Sequence, residues 1–455
     1  MNLRKHVILI VMLLSVSARC AQAQRVVRVT GPDAIAPAEV TIAINPKNPD
    51  NIVGASFQTG KPPQPRAGSY TYVTMDGGKT WKTVDPQDPQ DLVQGDDALA
   101  FSSDGVAYHV HLSFDGIRVP RPARAESGII TSASRDGGLT WNEPVPAINH
   151  INSVTPFEDK PGIVTDNAPA SVFKGNVYLA WTRFDVYGSH DPACHTGIYF
   201  SRSTDSGKTF SMPFLISEQA GDCIDSDNTV EGAVPAVGPK GEVYVVWAGP
   251  SGLVFDKSLD GGLTFGKDRV IGPMPGGWDF SLPGLDRANG MPVTGVDLSN
   301  GPHKGTLYVN WIDERNGDPD VFVASSSDGG ATWSAPVRVN NDPLRNGKVQ
   351  FFTWMSIDPL DGSVNTVFYD RRDTAGTLTG LTMARSIDGG RTFINYKIEQ
   401  EPFACNDKVF FGDYSSISAY GGRVVPIYMH FIDNNRLAVS VALFHFQPGT
   451  QKRID

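Results

Sequence analysis

Thr74-Met-Asp76-Gly-Gly78-Lys-Thr80-Trp81 opens a series of six copies of one short pattern. Ser134-Arg-Asp136-Gly-Gly138-Leu-Thr140-Trp141 and Ser203-Thr-Asp205-Ser-Gly207-Lys-Thr209-Phe210 follow it. Then come Ser258-Leu-Asp260-Gly-Gly262-Leu-Thr264-Phe265, Ser326-Ser-Asp328-Gly-Gly330-Ala-Thr332-Trp333 and Ser386-Ile-Asp388-Gly-Gly390-Arg-Thr392-Phe393. The shared form is Ser/Thr-x-Asp-x-Gly-x-Thr-Trp/Phe, and successive aspartates lie 60, 69, 55, 68 and 60 residues apart. A period of that length is one supersecondary unit, which points to a propeller or a similar array. Asp-Gly-Gly is hairpin-turn material, because glycine takes positive φ freely and aspartate hydrogen-bonds its own turn backbone. The terminal aromatic can pack over the turn and anchor the next strand. These aspartates are therefore expected to be structural.

Each repeat reads as four strands: an inner strand, a second strand, a third that runs into the turn motif, and a fourth after it. Second strands are expected at 52–57, 106–114, 177–183, 243–247, 307–311, 364–369 and 424–431, one more than the motifs. Three of them share Tyr-x-x-Trp, as Tyr178/Trp181, Tyr244/Trp247 and Tyr308/Trp311. Inner strands begin near Glu39, Asp97, Lys160, Glu231, Pro292, Gln350 and Tyr414. The last unit has a third strand at 437–446 and no turn motif or fourth strand, and residues 25–30 are free to supply the missing one. The expected fold is all-β, a seven-bladed propeller of four-stranded blades closed by its N-terminal strand, which removes an open sheet edge.

The six motifs resemble the Asp box, or BNR repeat, of the sialidase (neuraminidase) superfamily. The resemblance covers nearly all of the chain after residue 23. It implies a carbohydrate-active propeller, and for true sialidases a six-bladed one with three arginines on the sugar carboxylate and a tyrosine nucleophile activated by a glutamate. Two departures stand out. The blade count is seven, as in relatives that are glycosidases or lyases with other substrates, or non-catalytic domains. The Phe/Tyr-Arg-Ile-Pro motif of the first arginine is also missing; Arg25-Val-Val-Arg28-Val is not one.

Residues 1–23 have the layout of a secretory signal: basic Arg4 and Lys5, an apolar run from Val7 to Leu14, and Ala21-Gln-Ala23 as a cleavage site. The run is too short to span a bilayer. The expected domains are thus a signal peptide over 1–23 and one propeller over 24–455, and the expected location is secreted or periplasmic. Taking the three basic residues of the leader from a net charge of −10 leaves −13, a poor charge for a nucleic-acid partner. Three cysteines remain; Cys194 with Cys223 is the natural disulfide pair and Cys405 is left over.

In a propeller the connections from fourth to inner strand and from second to third strand share one face, at the channel mouth. That face is the default site. It collects Arg183, Arg315, Arg371 and Arg372 after second strands and Arg287 before an inner one. Guanidinium forks suit a carboxylate-bearing substrate; pairing with Asp185, Asp313, Asp370 and Asp373 is the plain alternative. Tyr414 opens the last inner strand and Glu231 the fourth, where the resemblance implies a tyrosine nucleophile and its base. Asp97 and Asp159 open the second and third and could serve as general acid or base. No cofactor is expected, although inner-strand acids could instead hold Ca²⁺. The functional expectation is a glycoside hydrolase on an acidic glycan, acting as a monomer. The alternatives are a non-catalytic glycan- or protein-binding propeller, or a polysaccharide lyase.

Overall fold

The computed structural model describes residues 24–58, 67–86, 92–117 and 124–454. The expected signal segment, 1–23, lies outside them. All regular structure among the described residues is β-strand. Seven sheets of sequential antiparallel strands form the blades. Their inner strands are Ala38–Ile44, Val93–Phe101, Phe157–Thr165, Glu231–Val237, Val293–Val296, Gln350–Ile357 and Ser416–Tyr420. Each inner strand packs on the next, and the seventh returns to the first. The result is the expected seven-bladed propeller.

Closure follows the expected route. Arg25–Arg28 pairs antiparallel with Leu437–His445, from Arg25 opposite Leu443 to Arg28 opposite Ser440. The chain start thus becomes the outer strand of blade 7, and the ring is locked by main-chain hydrogen bonds. Second strands are buried on both faces, since each blade is covered by a neighbour on either side. Tyr178 and Trp181, three residues apart, project from opposite faces of their strand, and both are fully buried.

The six repeated turns share one hydrogen-bond scheme. In the third, Ser203 Oγ donates to Asp205 Oδ1 at 2.8 Å and accepts from Gly207 N at 2.9 Å. Thr209 N donates to Asp205 Oδ1 at 3.0 Å and Thr209 Oγ1 to Oδ2 at 2.6 Å. The same four bonds recur around Asp76, Asp136, Asp260, Asp328 and Asp388. These carboxylates are occupied by their own turns and belong to the frame. The second glycine has a further role. A Cβ on Gly138 would lie 2.8 Å from Val53 of blade 1, and one on Gly330 would lie 2.3 Å from Phe255 of blade 4. The turn therefore seats against the preceding blade, which explains why glycine recurs there.

The turns carry an acid-stability prediction. A slight desolvation pushes Asp205 and Asp260 upward, but the Thr209 and Thr264 bonds outweigh it and hold both carboxyls at about 2. A depressed folded pKa stabilises above the unfolded value, 3.8 here, and that contribution is lost as pH falls toward 2. Asp205→Asn should shallow the acid-unfolding slope between those limits, followed by circular dichroism. An unchanged slope would show that the turn carboxylates do not set acid stability.

Candidate functional site

A channel of about 520 Å³ runs through the ring, with Asp97, Lys160 and Tyr414 at one end and Pro46, Asn167 and Leu360 toward the other. The first end is the mouth, and its polar side chains are delivered by one repeated device. Five inner strands are bulged near their starts, at Ala38/Thr41, Gly95/Ala98, Asp159/Gly162, Glu231/Val234 and Phe351/Trp354. Each bulge holds a residue with left-handed backbone: Glu39 (φ 55°), Asp96 (52°), Lys160 (47°), Gly232 (76°) and Phe352 (47°). Such conformations in non-glycine residues cost about 1–3 kcal/mol each and cluster at functional sites. A bulge also re-aims side chains. Glu39, Asp96 and Lys160 occupy such bulges on three inner strands, and all three are buried at the mouth.

Lys160 is the hub. Its Nζ lies 3.0 Å from Glu231 Oε1, 3.3 Å from Asp413 Oδ2 and 3.6 Å from Asp159 Oδ2. Burial alone would lower its pKa, but Asp159, Glu231 and Asp413 outweigh burial and raise it well above the usual value. Arg287 is the second cation. Its Nε and Nη2 bond Asp413 Oδ1 and Oδ2 at 2.7 and 2.5 Å, a bidentate pair. Nη1 reaches Asp225 Oδ2 at 3.4 Å, and Nη2 lies 3.9 Å from Glu39 Oε1. Tyr187 donates its hydroxyl to the same Asp225 oxygen at 2.8 Å.

Six carboxyls, those of Glu39, Asp96, Asp159, Asp225, Glu231 and Asp413, thus face two cations. Like charges this close cannot all ionise, so some keep protons. Burial, and then Asp413, raise Glu39 to about 7 against Arg287 and Lys160. Burial raises Asp96, Asp159 and Glu231 well above the carboxylate range. Asp225 goes the other way. Burial pushes it up, but Lys160, Arg287 and the Tyr187 hydroxyl outweigh burial and hold it below 3.8. Asp225 and Arg287 are also the more open members, 19% and 38% exposed.

The site candidates from the sequence divide. Glu231, Asp159 and Arg287 meet in this cluster. Tyr414 joins its edge: the hydroxyl donates to Asp96 Oδ1 at 3.4 Å, and the ring packs on Trp354. Burial and the carboxylates of Asp96 and Glu39 raise the phenol well above its normal value. Glu231 faces Lys160, Asp225 and Asp159. Asp97 lines the channel at the same end, but its carboxylate bonds His109 Nε2 at 2.5 Å, with neither side chain exposed. Four arginines lie apart. Arg183 bonds Glu158 and stacks on Tyr199, and Arg315 bonds Asp313. Arg371 is buried, with Nε donating to Thr379 Oγ1. Arg372 bonds Asp370, Asn341 and Asn395.

Asp225 and Tyr187 escaped the sequence reading. Neither opens an inner strand, and the cue available was their closeness to Cys223 and Cys194. A disulfide joins Cys194 to Cys223, with Cα atoms 5.8 Å apart, while Cys405 is a buried free thiol. Among the described residues no group of three or more His, Cys, Asp or Glu is arranged to hold a metal ion. The Lys160 ammonium occupies the point where the acids converge. No helix of the described residues is long and apolar enough to cross a membrane.

No protein-family model matches the chain. Solved structures resemble it over most of its length at low identity. A PL25 ulvan lyase bound to a -[GlcA(1-4)Rha3S]- ligand is 12% identical, with a TM-score of 0.52 over 94% of this chain and 97% of the other. A protein of unknown function from Dyadobacter fermentans is 14% identical, with a TM-score of 0.51 over 92% and 97%. A variant of the NanB sialidase from Streptococcus pneumoniae is 11% identical, with a TM-score of 0.50 over 92% and 94%. These likenesses establish the propeller fold; two of the three neighbours are carbohydrate-active enzymes.

Proposed function

We propose that this protein is a glycoside hydrolase of two-carboxylate type, with Glu39 as general acid and Asp225 as general base or nucleophile. One observation carries the reading: two carboxyls on the same guanidinium, Arg287, have proton affinities driven in opposite directions. Glu39 keeps its proton up to about 7, while Asp225 stays ionised. A pair split this way is the pattern of an acid and its partner base. Both reach one guanidinium, so they lie within about 10 Å of each other, an upper bound that admits the separations over which such pairs cleave a glycosidic bond. Arg287 stabilises the ionised member and, being exposed, can touch the sugar.

The substrate proposed is a neutral glycan. Binding a carboxylate would require a guanidinium free to grip it. Arg183, Arg287, Arg315 and Arg372 each already bond a carboxylate, and Arg371 is buried on Thr379. A tyrosine-nucleophile mechanism would require Tyr414 to bond Glu231, whereas its hydroxyl donates to Asp96.

The test is release of reducing sugar from a panel of neutral oligosaccharides, run beside sialosides and uronate-containing glycans. Turnover of a neutral member supports the reading. Turnover of sialosides alone would replace it with sialidase chemistry, an ultraviolet-absorbing unsaturated product with lyase chemistry, and binding without turnover with a binding module.

A further inference from the structure

Asp225 and Tyr187 sit on two different connections, and neither connection is part of a blade sheet. Tyr187 follows the strand Val177–Phe184, and Asp225 precedes the strand Glu231–Val237. Between these strands the chain passes through Cys194 and Cys223. The disulfide is the centre of a local lattice. Gly188 N donates to Cys223 O at 2.7 Å. Thr196 N and Gly221 O pair at 3.0 Å, and Gly221 N with Thr196 O at 3.1 Å. Thr196 Oγ1 bonds Asp222 O and accepts from Val230 N, both at 3.0 Å. Tyr187 packs edge-on against Phe184 at 4.9 Å and tilted against Phe157 at 5.2 Å. Its hydroxyl then meets Asp225 at 2.8 Å.

We propose that the Cys194–Cys223 disulfide is a positioning staple, which holds the Asp225 carboxylate against Tyr187 and Arg287 at the mouth. The inference rests on the reading of Asp225 as the working carboxylate. The two sulfurs are buried and touch no substrate; they act through the backbone on either side of them. Asp225 lies two residues beyond Cys223, and Gly188, beside Tyr187, is bonded to Cys223 itself. A shift of one connection against the other therefore separates hydroxyl from carboxylate. The ladders of the blade sheets and of the closing strand are made by other residues. Breaking the staple needs two electrons and two protons, which a dithiol reductant supplies as it closes to its own disulfide.

The charged and titratable groups facing Asp225 are Lys160, Arg287, Tyr187, Glu231, Asp159 and Asp279. Its titration therefore reports whether the staple holds. The experiment replaces both cysteines, Cys194→Ala with Cys223→Ala, and separately makes Tyr187→Phe in the bridged protein. Carboxyl NMR of Asp225 is read first, since it needs no substrate. Both variants should titrate Asp225 upward by about one pH unit, the order expected when a hydrogen bond to the ionised form is lost. On a panel substrate, kcat should fall on the order of 10- to 100-fold, the scale of a misplaced catalytic group. The acid limb of the pH–rate profile should move up in step. An Asp225 titration unchanged in the cysteine variant overturns the staple. Shifted titration with unchanged kcat keeps the staple and overturns the role given to Asp225.

Discussion

Glu39→Gln lowers kcat by about 10²- to 10⁴-fold, the contribution of a positioned general acid, while the circular dichroism spectrum keeps its β-propeller form. Glutamine keeps the size of the side chain and its bond from Asp96 N, now at 3.3 Å, but has no proton to give. The pH profile makes the assignment specific. Glu39 holds its proton up to about 7, so the proposed activity of the native protein should fall as pH rises through that value. The variant should lose that limb altogether. Stability carries the same sign. A carboxyl whose folded pKa is raised from 4.5 to about 7 contributes fully below 4.5, and that contribution is lost as pH rises through 7. Glutamine cannot ionise, so the variant should unfold with less pH dependence over that window. Wild-type kcat with an intact alkaline limb would remove Glu39 from the mechanism.

Lys160→Met destabilises the protein by about 3–5 kcal/mol at pH 8, the scale for removing one partner of a buried ion pair. The ammonium is 4% exposed and has Glu231, Asp413 and Asp159 around it. Without it, those acids face one another in a desolvated site with Arg287 alone to balance them. They can escape by taking up protons, which is easier at low pH. The loss should therefore shrink toward pH 5, and urea unfolding at both values measures it. A variant that is equally stable at pH 8 and pH 5, and close to wild type, would mean that the cluster is organised by something other than Lys160.

Much of the frame was legible in the chain itself. Turn chemistry is local: Ser203, Asp205, Gly207 and Thr209 close their hydrogen bonds within seven residues of one another. Six such turns at a steady interval announce blades, and a seventh unit lacking its fourth strand announces closure by Arg25–Arg28. Glu231, Asp159 and Arg287 were placed at the mouth on the same topological ground. The Tyr-x-x-Trp spacing puts an aromatic on each face of the second strand, and the structure buries both.

The candidate site was not legible, for reasons that are equally physical. A bulge with left-handed backbone at Glu39, Asp96 and Lys160 runs against the ordinary preference of those residues. Their own sequence gives no sign of it; the neighbouring blades hold it in place. Arg287 meets Asp413 across 126 residues of chain, carried there by an inserted hairpin, Asp279–Phe280 with Ala288–Asn289. Proton affinity is a property of the assembled mouth. Glu39 and Asp225 are ordinary carboxyls until burial and charges from other blades push one up and hold the other down. Sequence by itself determined the number of blades, their turns and the face that bears the candidate site, because those depend on short-range geometry repeated along the chain. Only the tertiary structure decided which carboxyls share a guanidinium and which of them keeps its proton, because desolvation and Coulomb interaction act across space.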